Sequence, residues 1–105
     1  MAFWNHFQIF GNVINDVALM NAADGAPVIT LYIKCVDKKI QDNKIVEYIS
    51  VIPVQVFGKT AVKFSLLPKG CIVGVQGHIL SSFDISSGRH TVEFIADDER
   101  VTLIE

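Results

Sequence analysis

Lys34, Lys38, Lys39 and Lys44 place four of the chain's nine basic residues within eleven consecutive positions. The chain as a whole has eleven acidic residues and a formal charge of −2, so no global positive field draws in a polyanion. A cationic cluster on that background is local, and the chemistry it fits is contact with the phosphates of a nucleic-acid backbone. The competing reading is a solvated hairpin, because lysines also blunt exposed strands against aggregation. Lys59 and Arg89 stand apart and are weaker candidates for the same role.

Other chemistries find less support. His6, His78 and His90 have no metal spacing and no carboxylate or Cys at supporting offsets. No nucleophile elbow, no His-Glu-x-x-His and no phosphate-cradling glycine loop is present, and the pairs Ser81-Ser82 and Ser86-Ser87 read as turn chemistry. The expectation is a protein that is not an enzyme and uses no cofactor or metal. Cys35 and Cys71 lack any Cys-x-x-Cys or Cys/His spacing and are expected as buried free thiols. No secretory signal and no apolar run of membrane-spanning length appears, so the chain reads as cytoplasmic with no membrane partner.

A chain of 105 residues, half of them hydrophobic and 19 % charged, fits one domain, residues 1–105, with a core of its own. The elements that must position the lysines read as strands. Residues 5–14 alternate, with Phe7, Ile9 and Val13 sharing a face and Gly11 marking a bend. After a turn at Asp24-Gly25, Val28 to Val36 is rich in β-branched residues; its alternation puts Ile29, Leu31, Ile33 and Cys35 on one side and Thr30, Tyr32 and Lys34 on the other.

The polar segment Asp37 to Lys44 then reads as the tip of a protruding hairpin whose return strand is Val46 to Phe57. Pro53 is expected at an edge or a bulge, since it cannot donate to a ladder. Thr60 can cap a short helix over 61–67 that Pro68 and Gly70 end. Val73, Val75 and Ile79 alternate in the next strand, where Gly74 and Gly77 signal a bulge or a close backbone crossing. Thr91 to Ala96 and Val101 to Ile104 form the last strand, broken by Asp97-Asp98-Glu99.

Four segments, in order, resemble the bacterial single-stranded DNA-binding protein family. They are Asn5-x5-Gly11-Asn12-x3-Asp16, Phe57-Gly58-Lys59, Leu67-x-Lys69-Gly70-x-x-Val73-x-Val75-x-Gly77, and the strand from Thr91 to Ile104. Length, Val51-Ile-Pro-Val-Gln-Val56 and Val75-Gln-Gly77 are also similar to primosomal replication protein N, a dimeric relative used in replication restart. The resemblance implies an all-β, five-stranded OB-fold barrel with a short helix between strands 3 and 4. It implies a core that includes Phe7, Ile9, Val13, Ile29, Leu31, Ile33, Val54, Val56, Val73, Val75, Ile79, Val92 and Phe94.

The implied function is sequence-independent binding of single-stranded DNA in replication, restart, repair or recombination. In this mode bases lie on aromatic rings and the backbone follows Lys and Arg. By resemblance Phe57 matches a stacking aromatic of the family, and Phe83 matches another with a shift of one residue. Where the family usually has tryptophans, this chain has Val51 and either Val36 or Asp37. Tyr32 and Tyr48 are the substitute rings, although each can equally serve as a cross-strand packing partner.

The alternative function is a protein–protein adaptor of a replication or primosome complex. An unpaired first strand and the exposed apolar pair Phe3-Trp4 suggest a homodimer or homotetramer, with Trp4 a packing or interface residue. Full family members also carry an acidic C-terminal tail that recruits other replication proteins, whereas this sequence stops at Leu103-Ile104-Glu105. Either that tail lies outside the sequence or partners are met through the folded surface.

Overall fold

The computed structural model describes residues 4–105; Phe3 of the apolar N-terminal pair lies outside them. The strands are β1 (Phe7–Val13), β2 (Met20–Asn21), β3 (Pro27–Gln41), β4 (Lys44–Phe57), β5 (Ile72–Asp84) and β6 (Arg89–Leu103), with one helix, α1 (Gly58–Lys63), after β4. They form a single sheet in the order β1-β5-β6-β4-β3-β2. A further pairing of β1 with β3, through Asn12↔Lys34 and Val13↔Ile33, closes five of the strands into a barrel. The two-residue β2 extends the sheet beyond β3. The family resemblance thus gives the right barrel and places the helix correctly. Among the described residues no helix is long and apolar enough to cross a membrane.

Alternation along the strands decides which side chains fill the barrel. Val13, Ile29, Leu31, Ile33, Val54, Val56, Val73 and Val75 are all sealed from solvent. Phe7, Ile9 and Phe94 pack against this cluster while only partly buried, and Phe7 meets Phe94 edge to face with centroids 5.4 Å apart. Ile79 is likewise half-buried. Val92 departs from expectation and is exposed. Its inward parity is retained, but it stands beyond the barrel rim, where β5 and β6 run on as a ribbon, and it lines an open cleft instead of the core.

Several boundaries move for identifiable reasons. β3 and β4 remain paired to the very tip, Gln41↔Lys44, so the segment over 37–44 is strand, not loop. Asp42 and Asn43 make the two-residue connection, with φ of 49° and 63°, the type I′ geometry whose twist matches a hairpin. Pro53 stands opposite Tyr32 without a bulge, one residue before β4 begins to pair with β6 at Val54↔Phe94. α1 starts at Gly58, and no side chain caps its first turn. Thr60 lies inside the helix, buried, where its Oγ1 accepts from the Glu99 N–H at 3.3 Å.

β6 is continuous and not broken. The acidic run is instead taken up as a bulge, since Ala96 pairs with Gly77 and Val101 with Val75, leaving 97–100 looped out opposite Gln76. The expected unpaired first strand is paired along both edges: Phe7 to Asn12 with β5, and Asn12 and Val13 with β3. The β3 side of Phe7 to Gly11 has no strand partner among the described residues. Two long ribbons, β3–β4 and β5–β6, project from the barrel. They raise the radius of gyration to 15.8 Å, against roughly 13 Å for a compact chain of this length.

At Gly77 the backbone crossing is close: an added Cβ would press on the carbonyl oxygen of Ile95 and lie 2.8 Å from the Phe7 ring. Gly77→Ala is therefore expected to cost roughly 1–3 kcal/mol by forcing the bulged strands apart. Urea unfolding reads this directly, and an unchanged midpoint would contradict the close crossing.

Candidate nucleic-acid interface

The register of the β3–β4 ribbon sorts the expected site residues onto two faces. Val28↔Phe57, Tyr32↔Pro53, Lys34↔Val51, Val36↔Ile49, Lys38↔Glu47 and Ile40↔Ile45 alternate with Leu31↔Val54, Ile33↔Ile52, Cys35↔Ser50, Asp37↔Tyr48, Lys39↔Val46 and Gln41↔Lys44. Since Leu31, Ile33 and Val54 point into the barrel, the first set faces outward and the second continues the inner face. Tyr32, Lys34, Lys38 and Phe57 thus come together on the outer face. Lys39, Lys44 and Tyr48 lie on the opposite one.

On the inner-face side, Lys39 Nζ lies 5.4 Å from the centroid of the Tyr48 ring. A cation over a ring attracts it by about 0.5–1 kcal/mol at an exposed site, so a base would have to displace that ammonium. On the outer side, Lys38 Nζ and Glu47 Oε1 are 3.7 Å apart, an exposed pair of small net worth. Phe57, half-buried at the end of β4, immediately precedes α1.

Tyr32 is held by a residue that sequence reasoning missed. The Asn15 side chain accepts from the Tyr32 N–H at 3.0 Å and donates to the Thr30 carbonyl at 2.9 Å, while the Ile14 N–H donates to the Tyr32 carbonyl. One amide therefore replaces the missing neighbour strand along the outer edge of β3. Asn5 does the same for β5, exchanging both its amide groups with the backbone of Ile79 at 2.7 and 2.8 Å. Amide side chains at the ends of an alternating run are the only advance signal of such staples.

A cleft of about 170 Å³ joins the outer face to the base of the second ribbon, lined by Thr30, Tyr32, Pro53 and Gln55 on one side and Val92, Glu93 and Phe94 on the other. The Glu93 carboxylate disfavours a phosphate there, so the cleft suits an uncharged base. Phe83 lies farther out on the second ribbon, 64 % exposed, with its ring edge-on to His90 at 6.3 Å. Arg89 pairs with Asp84 at the end of that ribbon. The adjoining turn is tied by Asp84, whose carboxyl is held below its usual range by the Ser86 hydroxyl, then by Ser87.

Lys59 is carried away from both ribbons. It sits on α1, in a cleft of about 280 Å³ with Thr60, Lys63, Phe64, Glu99 and Val101. Trp4 has the exposure expected of the apolar N-terminus, and one further placement, that of Cys35, differs from expectation. Trp4 is 96 % exposed and packs on nothing among the described residues. Cys71 is buried, but Cys35 is only half-buried at the barrel rim; there burial and then the Asp37 carboxylate push its thiol upward. His78 Nδ1 lies 2.8 Å from Asp97 Oδ1, tying β5 to the bulge of β6.

A small barrel whose closing strand pairs on both sides, with a helix after β4 and two projecting ribbons around an outer face, is an OB fold. A family model described as the single-strand binding protein family matches residues 4–100, and the chain belongs to that family. No curated protein matches it in sequence. Solved structures carry the same fold. A Plasmodium falciparum SSB in complex with ssDNA aligns with a TM-score of 0.81 at 17 % identity, covering 100 % of this chain and 98 % of that one.

A deletion variant of the single-stranded DNA-binding protein from Thermus aquaticus aligns at 0.85 and 19 % identity, covering 97 % of this chain. The chain spans only 51 % of that protein's length. A small single-stranded DNA-binding protein from Streptomyces coelicolor gives 0.68 at 18 % identity, over 94 % of this chain and 93 % of that one. At these identities the likeness is one of fold.

Two outcomes follow from the geometry. Asn15→Ala removes the two side-chain bonds to the β3 edge, at Tyr32 and Thr30, and is expected to cost about 1–2 kcal/mol, read as a lower urea midpoint; no loss would mean that the β3 edge holds itself. Asp37→Asn removes the negative charge that opposes the Cys35 thiolate, so the thiol should titrate lower and iodoacetamide should react faster at pH 8. An unchanged rate would show that burial alone sets it.

Proposed function

We propose that this chain binds single-stranded DNA without sequence preference, as an accessory protein of replication, restart, repair or recombination. Membership of the single-strand binding protein family carries that reading. The co-facial set of Tyr32, Lys34, Lys38 and Phe57 supports it from the geometry. Bases lie on Phe57, on Tyr32 beside the cleft, and on Phe83 from the second ribbon. Phosphates follow Lys34 and Lys38, with Lys39, Lys44 and Tyr48 reached where the strand passes over the edge of the first ribbon. Lys59 and Arg89 lie at the margins of this path and contribute least.

The reading is of a cytoplasmic, non-catalytic single OB domain that acts as a homodimer or homotetramer, with the unpartnered side of β1 as the natural place for a second copy. A protein-adaptor role, with replication or primosome proteins as partners, is the second reading. The aliphatic side chains that share the outer face with the lysines favour it.

Fluorescence titration with oligothymidine at two salt concentrations tests the assignment. Each phosphate contact contributes about −0.7 to the slope of log K against log salt, so four lysines should give roughly −3. Phe57→Ala should cost about 1–3 kcal/mol at both salts, whereas Lys34→Ala with Lys38→Ala should weaken binding and also flatten the slope. Absence of binding at low salt, or two unaltered variants, would leave the adaptor reading in its place.

A further inference from the structure

β6 pairs with β4 only at Val54↔Phe94 and Gln55↔Ile95, and Pro53, which has no N–H to give a neighbour, stands where that pairing ends. The two strands part there, and the cleft of about 170 Å³ with Tyr32 and Pro53 on one wall and Glu93 and Phe94 on the other is the fork between them. Its apolar side chains offer faces against which a flat ring can lie, while Glu93, Gln55 and Thr30 are the polar groups available to orient it. Glu93 and Gln55 are free for that task. The ion pairs of the described residues, Lys38–Glu47 and His78–Asp97, leave Glu93 out, and none of the side-chain hydrogen bonds among those residues engages Gln55. A carboxylate beside a DNA path works against the phosphates, so neither stacking nor backbone charge accounts for it.

We propose that this fork is a guanine-selective seat on a path that elsewhere takes any base, an inference that rests on the DNA-binding reading. An ionised carboxylate only accepts hydrogen bonds, through two oxygens side by side. The Watson–Crick edge of guanine presents the matching pair of donors, N1–H and N2–H, and next to them the O6 acceptor, to which the Gln55 amide donates. Thymine presents a single N–H between two carbonyl oxygens that the carboxylate repels. Cytosine and adenine present one amino group beside a ring nitrogen that it also repels. Tyr32 supplies the stacking face, and Lys34, the next outward residue of β3, meets the adjoining phosphate. Lys34 and Lys38 on the same face disfavour the competing occupant, a basic side chain of a protein partner.

Fluorescence anisotropy competition with a short oligothymidine, its central residue left as thymine or replaced by guanine or by inosine, tests the seat, with circular dichroism to check folding. Wild type should bind the guanine oligomer about fivefold more tightly than the thymine one, the low end of what a bidentate base contact gives. Inosine, whose base is guanine without the N2 amino group, should fall between them. The ratio should hold at both salt concentrations, because a base contact releases no counterion whereas the lysine contacts do. Glu93→Gln should bring the three oligomers together, since an amide donates to a thymine carbonyl as readily as it accepts from a guanine N–H. Equal affinities in wild type would overturn the seat and leave general DNA binding in place, whereas no binding of any oligomer would overturn both. A guanine preference that survives Glu93→Gln would give that base to another surface and overturn the assignment.

Discussion

Closure of the barrel at Asn12↔Lys34 and Val13↔Ile33 is the constraint on which the rest depends. β1 can reach β3 only because it lies flat along β5 through Phe7–Asn12, and that contact requires a strand that bends at Gly77, where a side chain would strike the β6 backbone. Once β1 is in place, Val13 seals one end of the aliphatic core. The segment that follows it brings Asn15 against the edge of β3. The placement of Tyr32 is thus a consequence of closure and not a local property of its own strand.

The same closure divides labour between the barrel and its ribbons. Inside the barrel the outer face of β3 and β4 is backed by a packed core, and the groups there, Tyr32, Lys34 and Phe57, are held by the ladder and by Asn15. Beyond the rim the two-stranded ribbon has no core behind either face. An isolated two-stranded ribbon is marginal in water, so its order depends on the continuous register with the barrel, the type I′ tip and small contacts such as Lys39 over Tyr48. Rigid ring positions near the barrel and adaptable cations farther out suit a ligand read through stacking and charge.

Much of this was legible in the sequence because period-two alternation is a direct image of burial. Ile29, Leu31, Ile33, Val54, Val56, Val73 and Val75 declare the inner face by themselves, and Gly74 and Gly77 mark the bent strand. What alternation cannot tell is where the barrel stops. Val92 keeps inward parity past the rim, Cys35 falls at the rim, and both lie on correctly assigned strands. The division of the lysines between two faces was also implicit, since Lys38 and Lys39 are neighbours and must point oppositely along a strand. It was hidden by reading that segment as a loop. The clues to its strand character were Asp42-Asn43, residues that tolerate the left-handed conformation. Asn15 and the Thr60–Glu99 contact were not readable, because both join segments distant in the chain through a single polar bond.

The chemistry of the β3–β4 ribbon is written in odd and even positions, with the Asp42-Asn43 tip fixing which parity faces which way. Substitutions alter such a surface one side chain at a time, whereas a change in length acts on the whole. One residue added to or lost from one limb between the barrel rim and the tip must either bulge out or shift the pairing, and a shift carries the affected side chains to the opposite face. The aliphatic and cationic surfaces would then be scrambled with no change in composition. Two residues added to each strand in matched register would preserve both faces and simply lengthen the ribbon, whereas one added to each would keep the pairing but turn over everything beyond it. Within a family of such barrels, ribbon length is therefore free to vary in steps of two residues per strand, while single-residue changes amount to a different surface altogether.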